Sequence, residues 1–342
     1  MTLQTFGKFI AGICAVLFII TGVMALLLFN IERTAFSSAT YKQAFENQNL
    51  YARMPSILAN TLSVTIVQNQ NTPTFIKTLT LTDWEAAISS MLPPEELKAI
   101  TDDALDSIFD YINRKTDSVT ISIIPLKSHL IGASGVEVVK QVLRAQPACT
   151  TEQLQAIALG FLSGGDIILC SPPEDVLTFL TPVIESQIQI MTVAIPDEVT
   201  LMSSVLSGTP NDPRLRLNNV RLLMLLSPLL PAVFLLGITI FAVRGLKDWL
   251  AWWGWPIFMT GAGGLLLAVL GSPVIGFIVR RFMQIQGAGF IPPSLLATMQ
   301  ETASSVTREI LKPVTLEGSI LALIGLGMAV VAVFVVRREN IV

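Results

Sequence analysis

FAVRGLKDWLAWWGWP, residues 241–256, holds four of the chain's five tryptophans, Trp249, Trp252, Trp253 and Trp255, within seven positions. They follow a small charged cluster, Arg244, Lys247 and Asp248, and uncharged apolar runs lie on both sides. Indole is amphipathic and collects where hydrocarbon meets water. A cage for a cation would need rings converging from several elements. Trp249, Trp252 and Trp253 instead fall at i, i+3 and i+4, one face of one helix. The stretch therefore reads as a tight polar turn between two membrane helices, with the four tryptophans as an interface belt.

Working outward, the apolar runs have the length that this reading needs. Residues 9–31, 222–243, 249–279 and 318–336 carry no charge. A helix crosses about 30 Å of hydrocarbon with roughly 20 residues. A charge at its centre costs about 2.5–3.5 kcal/mol on insertion scales, so four clean runs are informative. Only 14% of the 342 residues are charged, against about 25% in soluble domains. The net charge of −3 and the lack of any Lys/Arg-rich run exclude a nucleic-acid partner. The first run is too long for a signal-peptide core, and no small-x-small site follows it, so it reads as an uncleaved signal anchor.

The expected fold class is mainly α: a four-helix transmembrane anchor plus a mostly α-helical extracytoplasmic domain. Residues 1–8 form a cytoplasmic N-terminus and 9–31 the first span. Residues 32–221 form the outer helical domain and 222–243 the second span. Residues 244–248 are a cytoplasmic loop, and 249–279 are the third span with a Trp-rich start. Residues 280–317 are an outer amphipathic segment, 318–336 the fourth span and 337–342 a cytoplasmic tail. Basic residues are densest on the short side, at Lys8, Arg244, Lys247, Arg337 and Arg338, which assigns that side to the cytoplasm of a cell membrane. Cys149 and Cys170 lie in the large outer segment. A bridge between them would add roughly 3 kcal/mol on the chain-entropy estimate and persists outside the cytosol. Two buried free thiols are the alternative. Cys14 falls within the first span, as a small apolar residue.

Local patterns in the outer segment are helical. Thr82 and Glu85 have capping-box spacing, as do Thr150 and Gln153. Leu97, Ile100, Ala104, Ile108 and Ile112 make a helix stripe. Ser171 stands as a cap before a proline-started helix. SVTISII alternates as a strand, GASG separates two helices, and QNQNTP and Gly164-Gly165 read as loop and helix stop. Leu296, Met299, Ala303, Val306 and Ile310 form an amphipathic seam with few basic residues, which favours docking on the domain over lying on lipid.

In the third span Gly264, Ala268, Ser272 and Gly276 recur every four residues, a small-residue face suited to close helix packing within the bundle or between subunits. Gly318, Ala322, Gly325 and Ala329 repeat it in the fourth, and the two faces can meet. Pro228, Pro231 and Pro273 bend the second and third spans. A transporter would usually add an ionisable group at that depth, and the runs have none. Asp102, Asp103, Asp106 and Asp110 sit on one helix and read as a solvated face, since calcium wants six to eight converging oxygens. His129 is the only histidine, too few for a zinc site with usual partners. No nucleophile elbow, P-loop or dinucleotide fingerprint occurs. No catalytic residue, cofactor or metal is therefore expected.

The order span, long outer loop, span hairpin, shorter outer loop, span resembles the layout of claudin-like proteins. The first loop is far longer here and the W-GLW-C-C pattern is missing, so no residue role carries over. YKQAFENQNLYARMP, LPPEELKAITDDALDSIFDYI and the Cys149/Cys170 region resemble a group of bacterial four-span membrane proteins with a large outer domain, a likeness that implies no activity. The expected function is non-enzymatic: an outer domain on a bilayer anchor that binds a protein, an envelope component or a copy of itself. A channel or transporter component using the bent second and third spans is the alternative, and an envelope enzyme using His129 comes last.

Overall fold

The computed structural model describes residues 3–68, 77, 79–155, 170–203, 209, 212–286 and 293–339. The stretches read above as a loop at QNQNTP and a stop at Gly164-Gly165 lie outside these residues, apart from Gln68.

Two long helices dominate. α11 (Leu246–Gln286) and α12 (Pro293–Glu339) pack along each other as an antiparallel hairpin. At 1.5 Å per residue they are about 60 and 70 Å long. α1 (Leu3–Ala35) lies against both, and on its other flank takes α9 (Pro213–Leu226) and α10 (Leu229–Ala242). The start of α1, the end of α10 and the start of α11 define one end of this bundle, the near end. Pro256 and Pro273 lie inside α11 and Pro313 inside α12, and neither helix breaks there. The second apolar run does break, at Ser227-Pro228, between α9 and α10. Pro231 then sits in the first turn of α10, where its missing donor costs little.

Among the described residues, five helical stretches are long and apolar enough to cross a membrane: Phe6–Ala35, Glu174–Val193, Pro213–Ala242, Leu246–Phe282 and Leu295–Phe334. The sequence reading counted four. The addition is α8 (Glu174–Val193), the least apolar of the five, with Glu185 near its middle.

Beyond the far end of α1 the chain folds into shorter pieces. α2 (Ser38–Asn47) and α3 (Leu50–Gln68) lie against α12. α4 (Leu81–Met91) packs on α3, and α5 (Pro94–Ile112) on α2 and α3. β1 (Ser118–Ser122) follows, then α6 (Ile124–Ile131) and α7 (Ala133–Arg144). Gly132 ends one of these two helices and starts the next, as GASG suggested. β1 pairs antiparallel with β2 (Glu198–Ser203), about eighty positions on. The outer edge of β1 is closed by α5: Thr120 N–H donates to Ser107 Oγ at 2.9 Å, and Ser122 N–H to Asp103 Oδ2 at 3.2 Å. α8 buries Leu180 and Ile184 against Val136 of α7, worth about 1.5–3 kcal/mol for each side chain removed from water.

Several local signals shifted. The capping box of α4 is Thr80 with Asp83, one pair earlier than Thr82 and Glu85. Thr150 and Gln153 do cap reciprocally, at 2.9 and 3.3 Å. Pro173, not Ser171, caps α8, because the Ser171 backbone is engaged with residues 147–149. The segment 280–317 is not a separate helix. Arg280 and Arg281 continue α11, and α12 runs through Lys312 and Glu317 without interruption. Charge ends an apolar run without ending a helix.

Candidate functional site

One group of polar contacts lies where α2 crosses α12. Ala44, fully buried, sits at the crossing and accepts a hydrogen bond from Ser305 Oγ at 3.3 Å through its carbonyl. Asn47 Nδ2 donates to Glu309 Oε1 at 2.9 Å, and Arg53 Nη1 meets Glu301 Oε2 at 2.8 Å. Each bond ties α2 or α3 to α12.

Two grooves flank this crossing. The first, about 630 Å³, lies between α1, α2 and α12 and has a mixed lining in which apolar surface predominates. Thr34, Thr40, Gln43, Glu309, Lys312 and Ser319 supply its polar lining, with Leu316 at its edge. Glu309 is mostly buried, its side chain 11% exposed, and faces Lys312 Nζ at 3.4 Å, which is 64% exposed. Thr34 Oγ donates to Asn30 O at 2.6 Å. The second groove, about 520 Å³, is apolar and lies on the other side of α2. Met299, Ala303 and Val306 of the expected seam line it, with Leu295, Leu50, Met54 and Ile275, while Leu296 and Ile310 of that seam do not. The seam therefore faces a groove. The most buried residues of this stretch of α12 are instead the small polar Thr298 and Ser305.

Just beneath the first groove Asn30 is almost wholly buried, and its Nδ2 donates to Leu26 O at 2.9 Å and Glu317 Oε2 at 2.8 Å. At the same level Arg221 pairs with Glu32 at 2.9 Å, bonds Asn113 Oδ1 and stacks on Phe36 at 4.6 Å. Farther out, Arg214 is buried and doubly bonded to Asp212, reaches Thr116 O at 2.9 Å and Asp117 at 3.1 Å, and stacks on Tyr111. The guanidinium holds the Asp212 carboxyl below the usual carboxylate range. Hydrogen bonds from Lys42 and Ser38 do the same for Asp106. Burial raises the Tyr41 phenol, and burial with the nearby Asp102 raises that of Tyr51.

The acidic cluster does not converge. Asp102 accepts from Tyr51, Asp103 from the β1 backbone, Asp106 from Ser38 and Lys42, and Asp110 from Lys115. Asp102, Asp103 and Asp106 clip separate elements to α5 and Asp110 holds the turn that follows it, which differs from a merely solvated face. His129 Nε2 lies 2.9 Å from Ser90 O. That nitrogen faces a carbonyl, so there it acts as a donor and is held structurally. Among the described residues no group of acidic, histidine and cysteine side chains could hold a metal ion.

Cys149 and Cys170 form a disulfide, with Cα atoms 5.0 Å apart, beside a short bridge between Ala148 and Ser171. The third-span stripe is divided. Gly264 lies under Leu26 of α1, and Ala268 sits in a cluster with Leu311 and Val314 of α12. Ser272 Oγ donates to Ser304 O at 3.1 Å, and Gly276 lies against Ser304. The closest approach of α11 to α12 uses residues outside that stripe. Gly254 and Gly261 meet Gly318, Ala322, Gly325 and Ala329 backbone to backbone. Their spacing of seven was the available signal. Of the belt, Trp253 Nε1 donates to Thr239 Oγ1 at 3.1 Å and tilts against Trp249. Trp252 is half-buried on the same helix face, and Trp255 is exposed on another, against Phe258.

Comparison with protein-family models, with curated proteins and with solved structures finds no match to this chain.

Proposed function

We propose that the chain is a four-span membrane protein that mounts a helical, disulfide-closed unit outside the cell membrane and works by binding. The spans are α1, α9–α10, α11 and α12. One observation carries the reading. Glu32 ends the first uncharged run, Arg221 precedes the second and Glu317 precedes the fourth. The fold brings all three to one level: Arg221 grips Glu32, and Glu317 takes a bond from Asn30, two residues before Glu32. Charges far apart in sequence coincide at one level across three of the spans, as a bilayer boundary requires, while α11 stays uncharged beyond that level to Val279.

α8 is not a span in this reading. One face of it packs on α7 through Leu180 and Ile184, and Glu174, Asp175 and Glu185 lie along it, although Phe179, Ile190, Met191 and Val193 stay exposed. The disulfide favours an oxidising outer compartment. The basic residues Lys8, Arg244, Lys247, Arg337 and Arg338 favour a cytoplasmic near end. Hydroxyls within the spans argue for structure over conduction: Thr21, Thr239 and Ser319 each return to a carbonyl of their own helix.

The test joins three measurements. Alkaline carbonate should leave the chain in the membrane. In a Cys14→Ala background, a cysteine at Gly245 should resist an impermeant maleimide in whole cells, and one at Lys115 should react. Release by carbonate, or labelling of the opposite pattern, rejects the topology. Crosslinking in native membranes should capture a partner or a second copy, and recovery of monomer alone rejects the binding role.

A further inference from the structure

The groove between α1, α2 and α12 carries an inference that rests on the membrane reading above. We infer that it is a docking site for the headgroup of a zwitterionic phospholipid carrying a primary ammonium, a phosphoethanolamine lipid.

Three observations converge. The groove straddles the proposed boundary: Thr34 lies two residues beyond Glu32, and Ser319 two residues inside Glu317. Its charges are one of each sign, Lys312 and Glu309, 3.4 Å apart. An anionic lipid would meet Glu309 as a repulsive neighbour. A phosphoethanolamine can place phosphate at Lys312 and ammonium at Glu309, each as a charge-assisted hydrogen bond. Thr40 and Gln43 add neutral donors and acceptors at the rim. Beneath the groove Leu316, Ile320 and Leu323 are exposed at i, i+4 and i+7, an apolar track down α12 for acyl chains. Leu316 belongs to both groove and track. That continuity is what a lipid needs and a soluble zwitterion does not. Choline would keep the attraction to Glu309 but cannot donate a hydrogen bond to it, so the site discriminates on the ammonium protons.

The experiment uses the full chain, purified in detergent and stripped of lipid. Dioleoyl phosphatidylethanolamine, phosphatidylcholine and phosphatidylglycerol are added separately, and retained lipid is counted by native mass spectrometry. Phosphatidylethanolamine should be retained about five- to tenfold better than either other lipid, the worth of one charge-assisted bond. Glu309→Gln should erase the advantage over phosphatidylcholine and raise phosphatidylglycerol. Lys312→Gln, at an exposed position that does not endanger folding, should weaken phosphatidylethanolamine by a similar factor. Lys115→Gln, on α5, should change nothing. Equal retention of the three lipids by the wild type, or an unaltered preference over phosphatidylcholine in Glu309→Gln, overturns the inference. A chain that resists carbonate yet shows no lipid preference rejects this site alone. A chain released by carbonate rejects the topology and the site together.

Discussion

Gly261 and Gly318 stand backbone to backbone across the α11–α12 hairpin: a Cβ added to Gly261 would lie 2.6 Å from the Gly318 carbonyl oxygen and 2.4 Å from Ala322 N. Gly254 and Gly325 repeat the contact seven residues away on each helix, where a Cβ on Gly325 would lie 2.3 Å from Phe258 N. Backbone cannot rotate aside as a side chain can. Gly261→Leu must therefore push the helices apart, with a loss at the upper end of the overpacking range, about 3 kcal/mol. Gly327, with nothing within 4 Å of its added Cβ, should accept alanine without loss. Thermal denaturation in detergent compares the two. Equal melting temperatures would refute the close contact.

Thr260 is buried between α11 and α1, and its Oγ1 has no hydrogen-bond partner. Its methyl fills the space over Gly22, 2.8 Å from where a Cβ would be. Valine keeps the shape and removes the unpaired oxygen. Thr260→Val should raise stability by about 1 kcal/mol, and Thr260→Ser, which keeps the hydroxyl and loses the methyl, should lower it. A destabilised valine variant would mean that the hydroxyl is satisfied in solution.

The Cys149–Cys170 bridge closes a loop of 21 residues separation. Its removal by Cys149→Ser should cost about 3 kcal/mol and abolish the mobility difference between reduced and oxidised protein on denaturing gels. Cys14→Ala should leave that difference intact. A gel shift that persists in Cys149→Ser would assign it to another pairing.

Asp212 and Arg214 set a pH dependence. The Asp212 carboxyl titrates below its ordinary value because Arg214 bonds its charged form. Its contribution is complete above about pH 4, the unfolded value, and fades as pH falls through the lowered one. Asp212→Asn should therefore be less stable than the wild type at pH 7, with the gap closing on acidification below about pH 4. Urea titrations at several pH values read this directly. A gap of constant size would show that the loss is steric.

Legibility in the sequence followed the range of the physics. The helices α1, α5, α7 and α10, the strand β1, the break at Gly132 and the Thr150–Gln153 cap rest on neighbours within a few positions, and all were readable. β2 was missed because its partner lies about eighty residues earlier and its own residues, EVTLMS, are short and mostly exposed. The length of α11 and α12 was missed because hydropathy falls at Arg280 and Lys312, while helix propensity does not. The grooves beside α2 depend on a crossing that brings residues 34, 43 and 312 together, and no local pattern encodes that meeting. Glu309 and Lys312 stand three positions apart and Asp212 and Arg214 two, and neither spacing encodes the burial that the fold gives Glu309, Asp212 and Arg214.

The unbroken α11–α12 pair also settles how angles propagate. A rod clamped along one half keeps its direction in the other, so there is no joint at which orientation can be lost. With an arm of about 60 Å, a tilt of roughly 5° at the near end sweeps the opposite tip through about 5 Å. α2 and α3 are tied to the outer part of α12 through Asn47 and Arg53, so a tilt of the hairpin carries them with it.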